Sequence, residues 1–132
     1  MLHTIDFETE PDRVVVRTFG TADVAGFRAM SESVVADGRF LPGMPILLDH
    51  SHLDASRLTA EDVQEISEHV LSLSDRLGGS SVAVIAADAV TQMKALASIE
   101  QLEGAGAAIK PRVFDYLAEG TAWLRGRPCH QP

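Results

Sequence analysis

The sequence predicts an α/β fold: a single domain with a mixed, mostly parallel sheet, an N-terminal antiparallel hairpin and helices packed on the sheet. Three observations predict it. Strand signals alternate with helix signals after an opening pair of strands, and a parallel pairing needs a crossover that a helix fills. Two short runs, Ile46-Leu47-Leu48 and Val82-Ala83-Val84-Ile85-Ala86, are apolar without alternation, as strands covered on both faces are. The chain has 132 residues, 45% of them hydrophobic and 23% charged, which suits one core and lies far from a disordered composition.

The elements follow in order. His3, Ile5 and Phe7 alternate with polar residues, giving a short edge strand, and Glu10-Pro11-Asp12 supplies turn chemistry. The β-branched run Val14-Val15-Val16 returns as its hairpin partner. Over 21–36, Val24, Phe27, Met30 and Val34 share one helical stripe, which Asp37-Gly38 stops. Pro42-Gly43-Met44-Pro45 is a loop before the central strand at 46–49.

The clearest element is a long helix over 59–77. Thr59 and Asp62 form a capping pair, Glu61, Asp62 and Glu65 load its first turn, and Val63, Ile66, Val70, Leu73 and Leu77 make an apolar stripe expected to lie on the sheet. Gly78-Gly79 ends it, and a second buried strand follows at 82–86. Val90, Met93, Leu96, Ala97 and Leu102 support a helix over 90–103. A last strand is expected at 112–114, then a closing helix with Asp115 as N-cap, ending at Gly126. The domain is read as 1–126 and a tail as 127–132.

Composition excludes several functions. Eleven Lys plus Arg against 19 Asp plus Glu give a net charge of −8, which repels phosphate backbones, so nucleic acid is not an expected partner. The acidic excess sits in residues 1–66, with 5 basic and 12 acidic side chains, and reads as a solubilising surface. A lone cysteine, Cys129, excludes an internal disulfide. No apolar run reaches about 18 residues and the opening segment lacks signal-peptide character, so no membrane span and a cytoplasmic protein are expected.

The run Ile46-Leu47-Leu48-Asp49 leading into a loop and a long helix, then Val82-Ala83-Val84-Ile85, then Val113-Phe114-Asp115 with Ala122-Trp123-Leu124, resembles the SpoIIAA-like family, relatives of the STAS domain of anti-sigma-factor antagonists. The resemblance covers roughly residues 5 to 125 and rests on core positions, which are specific for fold rather than activity. It implies a binding or regulatory α/β domain, of a kind sometimes discussed as a holder of apolar ligands, with no shared catalytic constellation. Antagonist-type STAS domains carry a phosphorylated serine in an Asp-Ser-Ser-Gly-like loop at the start of the long helix. Here the loop reads Leu53-Asp54-Ala55-Ser56-Arg57-Leu58-Thr59, which makes Ser56 or Thr59 the candidate phosphoacceptor. Relatives also show a Tyr-Gly and a nearby Arg after the fourth strand. Lys94, in Val90-Thr91-Gln92-Met93-Lys94, stands where that Arg would, without the glycine.

The densest reactive stretch is Asp49-His50-Ser51-His52-Leu53-Asp54, past the carboxyl end of a central strand, where open α/β sheets bind ligands. His50 and His52 would share a face if the strand ran through them, and Asp49 or Asp54 could add an oxygen ligand. A transition-metal site needs three or four convergent ligands, and His3, His69 and His130 lie in an edge strand, a helix and the tail, so no metal site is expected and the plainer reading is a solvated loop. Ser51, His50 and Asp54 lack the Gly-x-Ser-x-Gly elbow of a serine hydrolase. The run at 104–108 lacks the Lys of a phosphate loop and reads as a connector. Trp123 and Tyr116, seven apart, are expected on one helical face, as domain-edge packing or a cleft wall. Met30, Met44 and Met93 read as core gap-fillers that could line an adaptable pocket.

The expected function is therefore a non-catalytic STAS-like binding or regulatory module without a cofactor. It would engage a protein partner or a small apolar ligand, with a homodimer as one arrangement. Its expected ligand contacts are Asp49, His50, His52, Lys94 and Trp123. The alternatives are a phosphoregulated switch at Ser56 or Thr59 and a metal-dependent enzyme built on residues 49–54.

Overall fold

The computed structural model describes residues 1–9 and 12–127. Five strands lie in chain order across one sheet: β1 (Leu2–Glu8), β2 (Arg13–Thr21), β3 (Ile46–Asp54), β4 (Ser81–Ile85) and β5 (Lys110–Phe114). β1 and β2 form the antiparallel hairpin, and β2, β3, β4 and β5 run parallel, as the alternation of signals predicts. Residues 10 and 11 of the expected turn lie outside the described residues, as do 128–132 of the expected tail with Cys129 and His130.

The crossovers are α1 (Val24–Ala36), α2 (Ala60–Ser72), the short α3 (Ser74–Leu77) and α4 (Ala89–Gly104), and the chain closes with α5 (Leu117–Arg125). The strands' two-residue alternation divides the core into layers. Val14, Val16, Ile46, Val82 and Val84 join Met30, Val34, Leu73 and Leu77 on the face covered by α1, α2, α3 and α4. Val15, Leu47, Ala83 and Ile85 lie on the other face with Leu124 of α5. There α5 approaches closely through Gly120, where an added Cβ would overlap Ile85 Cδ1 and stand 3.4 Å from Ala83 Cβ. Among the described residues, no helix is long and apolar enough to cross a membrane.

Local chemistry explains the boundaries. Asp23 caps α1 by accepting from Gly26 N at 2.6 Å, so the helix begins at Val24 and the preceding Thr21 still belongs to β2. Thr59 and Asp62 form a reciprocal capping box, with both bonds at 3.0 Å. The expected single helix over 59–77 is in fact two. Ser72 Oγ donates to His69 O and Ser74 Oγ to Leu71 O, side-chain bonds that compete with the helical ladder on either side of Leu73. The break leaves the stripe buried: Val63, Ile66, Leu73 and Leu77 are core residues and Val70 packs against them.

Two other expectations are corrected. The residues that signalled α4 do not all face inward: Met93 is 61% exposed and Leu96 and Val90 are also open, while Thr91 and Leu102 are buried. An Ala-rich helix carries apolar residues on both faces, so periodicity alone could not say which one the fold buries. Nor does Asp115 cap the closing helix. Its carboxylate accepts from Gln92 Nε2 of α4, and Tyr116 takes the N-cap position without a side-chain bond.

Candidate functional site

The site is built on the far end of β3. The expected loop over 49–54 is strand, because β2 continues beyond its Val-rich run and Phe19, Gly20 and Thr21 pair with His52, Leu53 and Asp54. The register slips between Arg17, which pairs with Asp49, and Phe19, which pairs with His52. One residue of β2, Thr18, thus faces two of β3, His50 and Ser51, a bulge that reverses the alternation.

That bulge decides where the reactive side chains go. His50 stays on the helix-covered face with Leu48, and Leu53 rejoins that face after the extra residue. His52 turns to the opposite face, exposed, where its ring stacks on Phe19 with centroids 5.8 Å apart and planes 8° from parallel. The two histidines cannot converge on one ion, and among the described residues no three His, Cys, Asp or Glu side chains are placed to hold a metal. Asp49 is buried and accepts from Ser51 N at 2.9 Å and Ser51 Oγ at 2.5 Å. Ser51 is exposed, and its hydroxyl serves Asp49.

Beneath α1, α2 and α4 the sheet leaves a cavity of about 170 Å³. Its walls are almost entirely apolar: Val16, Leu48 and Val84 below, Phe27 and Met30 from α1, Val63 and Ile66 from α2, and Ala95 and Leu102 from α4. His50 is the titratable side chain of the sheet that lines it, and it is only 5% exposed. Its Nδ1 lies 2.7 Å from Thr18 Oγ1, which also donates to Asp49 O at 3.3 Å, and its ring meets Phe27 edge-on at 5.6 Å. Burial lowers the His50 pKa from 6.5 to about 4, against the pull of the Asp49 carboxylate, so the ring is neutral near pH 7.

Lys94 of α4 also lines the cavity. Its Nζ donates to Ala55 O at 2.6 Å and Ser56 O at 3.1 Å, tying α4 to the chain between β3 and α2. A further tie between the helices is the 2.8 Å bond of Ser67 Oγ with Ser98 Oγ. Of the five expected ligand contacts, the cavity gathers His50 and Lys94. Asp49 and His52 belong to the other face of β3, and Trp123, on α5, packs on Phe114 at 5.5 Å. Tyr116, 67% exposed and outside the helix, shares no face with Trp123. Met30 lines the cavity and Met44 lies in the core, whereas Met93 faces outward. His69 sits at the α1–α2 boundary with Nε2 3.6 Å from Glu32 Oε1.

Ser56 and Thr59 differ. Thr59 Oγ1 is committed to the cap of α2, whereas Ser56 is exposed beside Asp54, whose carboxylate is held below its ordinary range by hydrogen bonds from Ser56. The sequence reading missed Thr18, fully buried on the face of Val14 and Val16. A polar residue in phase with two buried valines was the available signal, because a buried hydroxyl requires a partner.

The architecture matches a known one. Over 92% of this chain and 93% of its own, an uncharacterised DUF3478-family protein from Shewanella loihica, described as having a SpoIIAA-like fold, superposes with a TM-score of 0.59 at 16% sequence identity. The fold is SpoIIAA-like. No protein-family model matches the chain, and no curated protein matches it. At this identity the likeness carries the topology, and the SpoIIAA-like scaffold here places a bulged strand and three helices around the apolar cavity.

Proposed function

We propose that the chain is a non-catalytic binding module that holds a small apolar ligand between its sheet and helices α1, α2 and α4. The observation that carries this reading is the cavity of about 170 Å³ with its almost wholly apolar lining. A well-packed interior has few voids larger than a water molecule, and an apolar cavity of about 150 Å³ takes up benzene. Water gains little there, because it needs two to four polar partners. The charged groups also support binding without reaction: Lys94 at the wall is tied to two carbonyls, and the Asp49 carboxylate lies on the other face of β3, engaged by Ser51.

Titration with toluene, followed by calorimetry and by thermal unfolding, tests the reading. Binding to the native state raises stability by about 2.7 kcal/mol at a ligand concentration one hundred times Kd. Saturable one-to-one binding that disappears in an Ala95→Leu variant, which fills the cavity from α4, is the expected result. Failure of toluene and benzene to bind or to stabilise the folded protein would overturn it.

A further inference from the structure

We propose that the natural occupant of this cavity is a small hydroxyl-bearing molecule, a phenol or an alcohol of similar bulk, with its hydroxyl hydrogen-bonded to Nε2 of His50. The inference rests on the apolar-ligand reading above and adds the ligand's chemical class and orientation. Size comes first. About 170 Å³ accommodates one six-membered ring with a single small substituent.

Polarity comes from the imidazole. Among the described residues, Nδ1 is engaged by Thr18 and no hydrogen bond reaches Nε2, although the ring lines the cavity and is 95% inaccessible, given its 5% exposure. Thr18 has one hydroxyl proton. Directed to the Asp49 carbonyl it leaves Nδ1 to donate and Nε2 as an acceptor, and directed to Nδ1 it leaves Nε2 as a donor; a ligand hydroxyl, which both donates and accepts, pairs with Nε2 in either tautomer. Three of the other polar side chains at the walls are engaged: Thr91 Oγ1 donates to Asp88, Ser98 bonds Ser67, and Lys94 holds two carbonyls, while Ser31 of α1 adds a further hydroxyl to the lining. A water at Nε2 would find few further partners, whereas a ligand hydroxyl meets Nε2 while its apolar body meets the walls.

The same features select against charge. Val16, Leu48, Phe27 and Val84 offer an ion no compensation, the lining holds no carboxylate among the described residues to offset a cation, and the ammonium of Lys94 at the wall already donates to two carbonyls. A neutral hydroxyl can pair with Nε2 as donor or acceptor without carrying charge into the cavity. This makes His50 the specificity-determining residue of the site, with Thr18 as the residue that orients it.

Phenol and toluene differ by hydroxyl against methyl and have nearly the same shape, so the pair isolates the hydrogen bond. The ratio of their Kd values is measured in the wild-type protein and in His50→Phe. Loss of the imidazole is expected to weaken phenol by about tenfold or more relative to toluene. In the wild-type protein, nitrogen NMR should show the Nε2 resonance of His50 moving on addition of phenol and staying in place on addition of toluene, a readout that needs no variant to fold. If toluene binds but the ratio is unchanged by His50→Phe, or Nε2 does not respond to phenol, the hydroxyl inference is overturned and the apolar cavity stands. If neither compound binds, the cavity reading itself has failed.

Discussion

A neutral imidazole held in a hydrocarbon wall leaves a signature in the pH dependence of stability. The folded-state pKa of His50 is depressed to about 4 from 6.5, so its stabilising contribution is fully present above pH 6.5. It is lost as pH falls, because below that value the unfolded chain binds the proton more readily, and the loss is complete below pH 4. The difference corresponds to about 3 kcal/mol. Urea unfolding between pH 8 and pH 4 should therefore show a steeper fall for the wild-type protein than for His50→Gln, which does not titrate, and parallel curves would mean that the ring is solvated. His50 and His52 could be named from sequence as the chemistry of the chain, but their separation onto opposite faces could not. It depends on the extra residue that β3 inserts opposite Thr18, and nothing in Asp49-His50-Ser51-His52 marks which residue is extra. Thr18 itself was legible only through its phase with Val14 and Val16.

Among the elements, α2 shows most directly how sequence becomes packing. Its stripe seats Val63 and Ile66 against Leu53 and Leu58, and the break at Leu73 turns Leu73 and Leu77 toward Met44 and Val82. Leu73→Ala should cost about 2–5 kcal/mol of folding stability, read as a shift in the urea midpoint at constant m. A loss below about 1 kcal/mol would show that the site collapses or is already loose. The start of the same helix separates the two hydroxyls proposed as phosphoacceptors. Thr59→Asp keeps a capping side chain but removes its hydroxyl from the box with Asp62, whereas Ser56→Asp lies outside the helix on an exposed residue and should change stability by less than about 0.5 kcal/mol. A large loss at Ser56 would exclude a phosphorylated form at that position. Strand and helix order was legible because β3, β4 and α2 each carry an unmixed pattern. The buried face of α4 was not, since Val90, Met93 and Leu96 compete with Ala95, Ile99 and Leu102 for the same periodicity.

Over the whole molecule, the two faces of the sheet are packed to different standards. Gly120 lets α5 lie against Ala83 and Ile85 with no room for a methyl group, while three helices on the opposite face leave about 170 Å³ between themselves and the same strands. Void space inside the native state disappears on unfolding, so it enters the volume change and makes the fold sensitive to pressure. Per mole, the cavity amounts to about 100 mL, the upper end of the range of about 20–100 mL/mol by which unfolding volumes fall below zero. Pressure unfolding followed by the fluorescence of Trp123, on α5 at the face without the cavity, should give a negative volume change within that range, since it scales with the void without equalling it. Ala95→Leu should reduce its magnitude by tens of mL/mol and raise stability by about 0.5–2 kcal/mol, because the added side chain occupies space that now has no partner atoms. Saturating toluene should reduce the volume change in the wild-type protein and leave the filled variant unaffected. Equal volume changes in wild type and variant would mean that water already fills the space, in which case the native state holds a hydrated pocket and the apolar ligand would have to displace it.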